Sequence, residues 1–312
     1  MRKSLAIALC FFLWGCGKNA KVVNPAAIDE PDRVLYENAM KQMGRHDYPN
    51  ARLLLQTLIS TYQDSDYFQK AKYAFAESLY REGGRENLDS AEAAYKDFII
   101  YFRDSDLADD AQMMVAMTHV KRVQSPDRDN TEARLAELEL REMINSYPNS
   151  DLLEEAKQKL REVDEILAAS NAGVAGGYYK NKNYKASIDR FNEIELKYPD
   201  YSKMDGVLFY HAESLRLTEN AEAAGKFYAE VVSDYPTSKY VKEATQHLIE
   251  LSLPVPPPNP AAVPRPSLQP AKSMLGKTVG VFKSHPAVPA ETGAASVDKD
   301  GTFAIDSKAN KD

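Results

Sequence analysis

Thiols are nearly absent from this 312-residue chain: its two cysteines, Cys10 and Cys16, both fall within the first sixteen residues. The remainder can build neither a disulfide framework nor a thiolate metal site, so the body must hold together by core burial. An excess of basic charge is also missing. The formal net charge is −7, which argues against general nucleic-acid binding, where Lys and Arg neutralise phosphates. It argues equally against electrostatic attraction to anionic lipid, so any membrane attachment must be covalent or hydrophobic. Long apolar runs are missing too. The one clean run, Leu5 to Trp14, has ten residues, against about 20 for a membrane-spanning helix. Tryptophan occurs once, whereas tyrosine occurs 18 times.

What is present at the N-terminus has the layout of an export signal. Arg2 and Lys3 precede the apolar run, whose length suits a signal-peptide core. Leu13-Trp14-Gly15-Cys16 follows and resembles the bacterial lipobox, with Trp14 bulkier than that position usually holds. The resemblance implies cleavage between Gly15 and Cys16 and acylation of Cys16 by diacylglycerol and an N-acyl chain. Three chains anchor firmly, at about 0.8 kcal/mol per buried CH₂. Gly17, rather than Asp, favours the outer membrane by resemblance to the enteric sorting rule. Residues 1–15 are thus expected to be a signal peptide and 16–30 a lipidated tether.

Residues 31–253 read as helix after helix, without sustained period-two alternation. Five segments share one signature: Tyr62-Gln-Asp-Ser65, Phe102-Arg-Asp-Ser105, Tyr147-Pro-Asn-Ser150, Tyr198-Pro-Asp-Tyr201 and Tyr235-Pro-Thr-Ser238. In each, the aromatic closes a helix, proline in three copies forbids its continuation, and serine in four copies is a candidate N-cap of the next helix. An apolar stripe precedes each signature, as in Leu54/Leu55/Leu58, and small residues follow it, as in Ala71/Ala74. This is a helix–turn–helix array. It resembles tetratricopeptide repeats, and Asp47-Tyr-Pro-Asn-Ala51 and Asn183-Tyr-Lys-Ala-Ser187 fit the turn inside such a repeat. The expected fold is all-α, a right-handed α-solenoid of about five hairpins near 31–66, 67–105, 106–150, 170–202 and 203–250. Gly83-Gly84-Arg85 and Ser125–Asn130 read as enlarged loops. Residues 151–180 read as a long helix, with a bend near Asn171–Gly173 that divides the array into two halves.

After Leu253 the composition changes: residues 254–270 hold eight prolines in seventeen positions. Residues 254–312 are expected to be a disordered tail that does not pack on the body. Catalytic and cofactor motifs fail on inspection. Gly276-Lys277-Thr278 ends like a phosphate-binding loop, but Ala271 stands where its first glycine belongs. Asp127-Arg-Asp129 begins like a calcium loop, but Glu132 and Leu138 occupy its glycine and closing-acid positions. The histidines at 46, 119, 211, 247 and 285 have no metal-ligand spacing. The expectation is a protein that is not an enzyme and holds no metal and no cofactor.

Asp127-Arg-Asp-Asn-Thr131, with Ile144-Asn-Ser-Tyr-Pro-Asn-Ser150, is similar to the third repeat of the BamD family of lipoproteins. Gly177 to Phe191 looks like the family's fourth repeat, and the likeness extends over roughly residues 31–250. The resemblance implies a periplasmic scaffold on the outer membrane that works with a BamA-like barrel protein and other assembly-complex lipoproteins and engages unfolded outer-membrane proteins. In tetratricopeptide arrays the first helix of each repeat lines the concave face. Projected here, that rule makes Tyr36, Met40, Tyr73, Glu77 and Tyr80 candidate groove residues for clients. Arg216 is a candidate on the partner face. Two alternatives stand beside this reading: an organiser of cell-division or peptidoglycan enzymes, disfavoured because no heptads precede Pro31, and a solute-capturing repeat lipoprotein, which would need aromatic pockets.

Overall fold

The computed structural model describes residues 30–262 and two short strands, β1 (Ala295–Val297) and β2 (Phe303–Ile305), which pair antiparallel. The signal, the lipobox and most of the expected tail lie outside the described residues. From residue 30 to 262 the regular structure is all helical: α1 (Pro31–Gly44), α2 (Tyr48–Thr61), α3 (Phe68–Glu82), α4 (Arg85–Tyr101), α5 (Ala108–Arg122), α6 (Thr131–Ser146), α7 (Leu153–Lys180), α8 (Tyr184–Lys197), α9 (Met204–Arg216), α10 (Ala221–Asp234) and α11 (Val241–Glu250). The described residues form two compact units, one reaching Phe68 and including the strands, the other beginning at Gln69.

In the first unit α1 and α2 form one hairpin, burying Leu35, Ala39 and Met43 with Leu54, Leu55 and Leu58. In the second, α3 to α5 enclose Tyr73, Leu79, Tyr95 and Phe98. One continuous core then runs from Met113 on α5 to Leu248 on α11. The small residues after each signature are buried as the pattern requires: Ala71, Ala108, Ala111, Ala156, Ala212 and Ala244 are all at most 1% exposed.

The five signatures repeat as geometry. Tyr62, Phe102, Tyr147, Tyr198 and Tyr235 each cap the C-terminus of an even-numbered helix, with φ between −129° and −123° and ψ between 51° and 65°. In every copy the fourth residue donates its N–H to the aromatic residue's carbonyl, and its own carbonyl accepts from the residue three further on. The serines, however, are not N-caps. They lie upstream of the cap positions Leu107, Leu152 and Tyr240. Each instead latches a turn: Ser150 Oγ accepts the Leu152 N–H (3.0 Å) and donates to Asp109 in the first turn of α5 (2.6 Å). Ser65 with Asp32 and Ser238 with Asp205 repeat the latch at 2.6 Å, and the Ser65 hydroxyl holds the Asp32 carboxyl below its ordinary range. Tyr201 displaces the serine in the fourth copy, and there Ser202 bonds Glu165, in the middle of α7.

That shift explains the long spacing between the third and fourth signatures. The first half of α7 completes the packing against α6, and the hairpin with α8 starts near Glu165 without a new helix start. Helix α7 runs unbroken through Asn171–Gly173, and the core is continuous across it. Those residues therefore do not separate two halves. Nor is Gly83–Gly84 an enlarged loop: it is the whole two-residue link between α3 and α4, with φ of 74° and 83° that only glycine adopts without strain. The α5–α6 loop is long, as expected.

Three of the hairpins, α1–α2, α7–α8 and α9–α10, share one turn construction. His46, Lys182 and Glu219 end their helices in the left-handed region, and the next N–H reaches back to the carbonyl five residues earlier at 2.9–3.0 Å. Asp47, Asn183 and Asn220 then cap the following helix, accepting from the N–H of Asn50, Ala186 and Ala223. The composition break after Leu253 does not mark the end of packing: Asn259 donates its backbone N–H to Ser233 O (2.8 Å) on α10.

Candidate binding cleft

Helices α6, α7 and α8 bound a cleft of about 710 Å³. From α6 come Arg134, Glu137 and Arg141, from α7 Leu167, Ser170 and Asn171, and from α8 Arg190, Glu193 and Lys197, with Tyr198 behind them. The acids are engaged. Glu137 accepts from Arg141 at 2.9 and 3.1 Å, and Glu193 is shared by Arg190 (2.9 Å) and Lys197 (2.8 Å), which holds its carboxyl below the usual range. Arg134 is exposed and has no side-chain hydrogen bond or ion pair among the described residues. Four cations against two committed carboxylates leave a positive surplus in an otherwise acidic chain. Beside the cleft, burial pushes the Asp164 carboxyl up to about 7, against the pull of Arg141. Burial likewise pushes the Tyr198 phenol up to about 12. A planar guanidinium with free donors suits a carboxylate arriving from outside.

The residues projected onto a groove are divided between the two units. Tyr36 and Met40 belong to the first unit, where Tyr36 is half-buried against the Tyr67 ring (5.2 Å between centroids) and Met40 is exposed. Tyr73, Glu77 and Tyr80 belong to the second and are buried. Tyr73 packs edge-on to Tyr95 and Phe98, each at 5.6 Å. Glu77 pairs with Arg81 at 2.5 Å, and Lys121 lies 4.0 Å from the centre of the Tyr80 ring. These three side chains are core, because α3 turns its apolar stripe onto α4 and α5.

Arg216 is not a free surface charge either. It grips Glu213 at 2.8 and 3.1 Å. Glu213 also accepts the Tyr228 hydroxyl and faces His247 Nε2 at 3.2 Å. Burial opposes ionisation of Glu213, but Arg216 and Tyr228 outweigh it and hold the carboxyl below its ordinary range. A charge reversal at Arg216 would therefore disturb the α9–α10–α11 packing as well as the surface. Among the described residues no cluster of three or more His, Cys, Asp or Glu could hold a metal ion, and no helix is long and apolar enough to cross a membrane.

Sequence reasoning missed the cleft because its cations come from two helices with the whole of α7 between them, and each set alone reads as a solvated helix face. It also missed an internal copy: Ala76-Glu-Ser-Leu79 recurs as Ala212-Glu-Ser-Leu215, and both glutamates are buried.

Helical hairpins in series, with the same signature turn between one and the next, define a helical-hairpin repeat protein. Residues 28–226 match the model of the YfiO family, described as outer membrane lipoprotein, and the chain belongs to that family. It is 24% identical over 206 residues to the outer membrane protein assembly factor BamD of Vibrio cholerae, covering 63% of this chain and 81% of that protein. It is 21% identical over 268 residues to the BamD of Caulobacter vibrioides, covering 86% and 83%. Among solved structures, the TPR2AB domain of yeast Sti1 in complex with pHSP90 is 9% identical, covers 71% of this chain and 98% of that one, and has a TM-score of 0.34, at which the likeness carries no argument.

Proposed function

We propose that this protein is a non-catalytic scaffold for outer-membrane protein assembly, anchored to the outer membrane through lipid on Cys16 and facing the periplasm. It joins a BamA-like barrel protein and handles unfolded outer-membrane clients. Membership of an outer-membrane lipoprotein family, with relatives named as assembly factors, supports the role. The observation that carries the docking part is the cation surplus of the α6–α8 cleft. Arg134 receives a carboxylate of the partner, flanked by Arg190 and Lys197 around Glu193 and by Arg141 on Glu137. Charged rims of this kind set encounter rate and orientation more than raw affinity, which suits a subunit already confined to the same membrane.

Affinity purification of the intact lipoprotein from solubilised membranes tests the reading. A barrel protein should co-purify with the wild type, and about tenfold less of it with Arg134→Glu/Arg190→Glu at unchanged helicity, a loss of about 1.4 kcal/mol. Recovery without any barrel protein overturns the role. Equal recovery with the double variant overturns the cleft as the docking site. Labelling with a palmitate analogue should tag the wild type and not Cys16→Ser.

A further inference from the structure

Helix α11 ends as the first helix of a hairpin ends. Ser252 adopts φ 56°, in the left-handed region, and the Leu253 N–H reaches back to Leu248 O at 2.8 Å. This is the turn found at His46, Lys182 and Glu219, where it delivers the chain into a second helix. Here the next steps fail. Leu253 stands where Asp47, Asn183 and Asn220 supply a capping oxygen, and Pro254, Pro256, Pro257 and Pro258 follow. Proline in the interior forbids helix, so the chain continues extended.

The extended segment takes up the place of the missing helix. Leu253 lies over Gly225 near the start of α10: a Cβ on Gly225 would stand 2.1 Å from Leu253 Cδ1. At the other end of α10, Asn259 donates its backbone N–H to Ser233 O (2.8 Å) and its side-chain amide to Asp234 (3.1 Å). Six extended residues reach about 19 Å, enough to accompany the helical residues between those anchors, which rise about 12 Å. The cover is thin. Ile249 on α11 remains 65% exposed.

We propose that residues 253–259 are a built-in stop, a strap that fills the groove of an aborted sixth hairpin and keeps a second copy of this chain from docking a helix there. The second copy is the fitting occupant because the first helices α5, α7 and α9 are each covered by a following helix of the same chain, and an uncovered α11 would offer that same kind of face to another copy. Repeat arrays generally need such end caps to stay soluble.

The test uses the full lipoprotein in detergent, with Ile249→Cys as a reporter, since the sequence has no cysteine after Cys16. With the strap intact, the introduced thiol should form no disulfide dimer and the mass should not depend on concentration. Leu253→Ala/Asn259→Pro should raise the disulfide-linked dimer formed through that exposed thiol about tenfold, equivalent to about 1.4 kcal/mol, with a mass that rises with concentration. Gly225→Ala, whose Cβ must displace the Leu253 side chain without altering the strap sequence, should do the same to a lesser degree and guards against misfolding of the double variant. A monomer without crosslinks in both folded variants overturns the proposal, as does equal crosslinking with the strap intact.

Discussion

The two Ala-Glu-Ser-Leu segments put the same carboxylate in the same place on a helix and obtain opposite electrostatics. Glu213, on α9, is met by Arg216, Tyr228 and His247, and its carboxyl sits below the ordinary range. Glu77, on α3, has Arg81 alone, and burial pushes it up to about 7. The tyrosine that reaches Glu213 is Tyr228. The corresponding residue in the second hairpin, Tyr95, is fully buried and its hydroxyl has no hydrogen-bond partner. A buried acid is therefore not stabilising or destabilising by itself; the number of donors that converge on it decides.

The largest expected effect is loss of the converged site. Glu213→Gln leaves Arg216 without its counter-charge and weakens the Tyr228 bond, which should cost about 2–3 kcal/mol, the scale of charge-assisted hydrogen bonds. Glu77→Gln should cost nothing at pH 8 and is expected to stabilise. Urea unfolding of both variants at pH 8 measures the pair, and equal losses would abolish the distinction drawn between the two sites.

The pH dependence sharpens the same contrast. The Glu77 carboxyl binds its proton near pH 7 when folded but near the ordinary 4.5 when unfolded. Between those values the folded state holds more protons, so stability falls as pH rises through that window, by up to about 3 kcal/mol. Glu213 runs the other way. Its folded carboxyl is depressed, so its contribution is present above the ordinary 4.5 and is lost as pH falls below. In unfolding measured from acid to mildly alkaline pH, Glu77→Gln should remove the loss that accompanies the rise towards pH 7. Glu213→Gln should remove a loss only at the acid end.

Much of this architecture was legible in the sequence. The aromatic of each signature does end a helix, because a period of helix-compatible residues followed by Pro or Asp-Ser has few other outcomes. The partners were not legible. Ser150 looks like a cap from its neighbours alone, but its hydroxyl is claimed by Asp109, 41 residues away, and no local rule contains that contact. Helix order alone sends Tyr73, Glu77 and Tyr80 to a groove. Which side of α3 is covered depends on where α4 and α5 lie, and the tight Gly83–Gly84 link sets that. The strap escapes notice for a related reason: proline-rich composition excludes helix, yet leaves an extended chain free to dock through a single leucine and an asparagine.

The smallest expected effect distinguishes the two tyrosines. In Tyr228→Phe the Glu213 carboxylate loses a buried donor, and a net cost of about 1–2 kcal/mol follows from leaving a charged acceptor short of partners. In Tyr95→Phe the ring, its edge-on contact with Tyr73 at 5.6 Å and the packed volume all remain, and only an unpartnered hydroxyl leaves the core. Its burial without a hydrogen bond costs the folded state, so Tyr95→Phe should be neutral or stabilising by about 1 kcal/mol. The melting temperatures of the two variants, measured at neutral pH, should therefore move in opposite directions or differ by several degrees. A loss at Tyr95 as large as that at Tyr228 would mean that its hydroxyl reaches Glu77 in solution, and the second hairpin would then hold its acid as the fifth does.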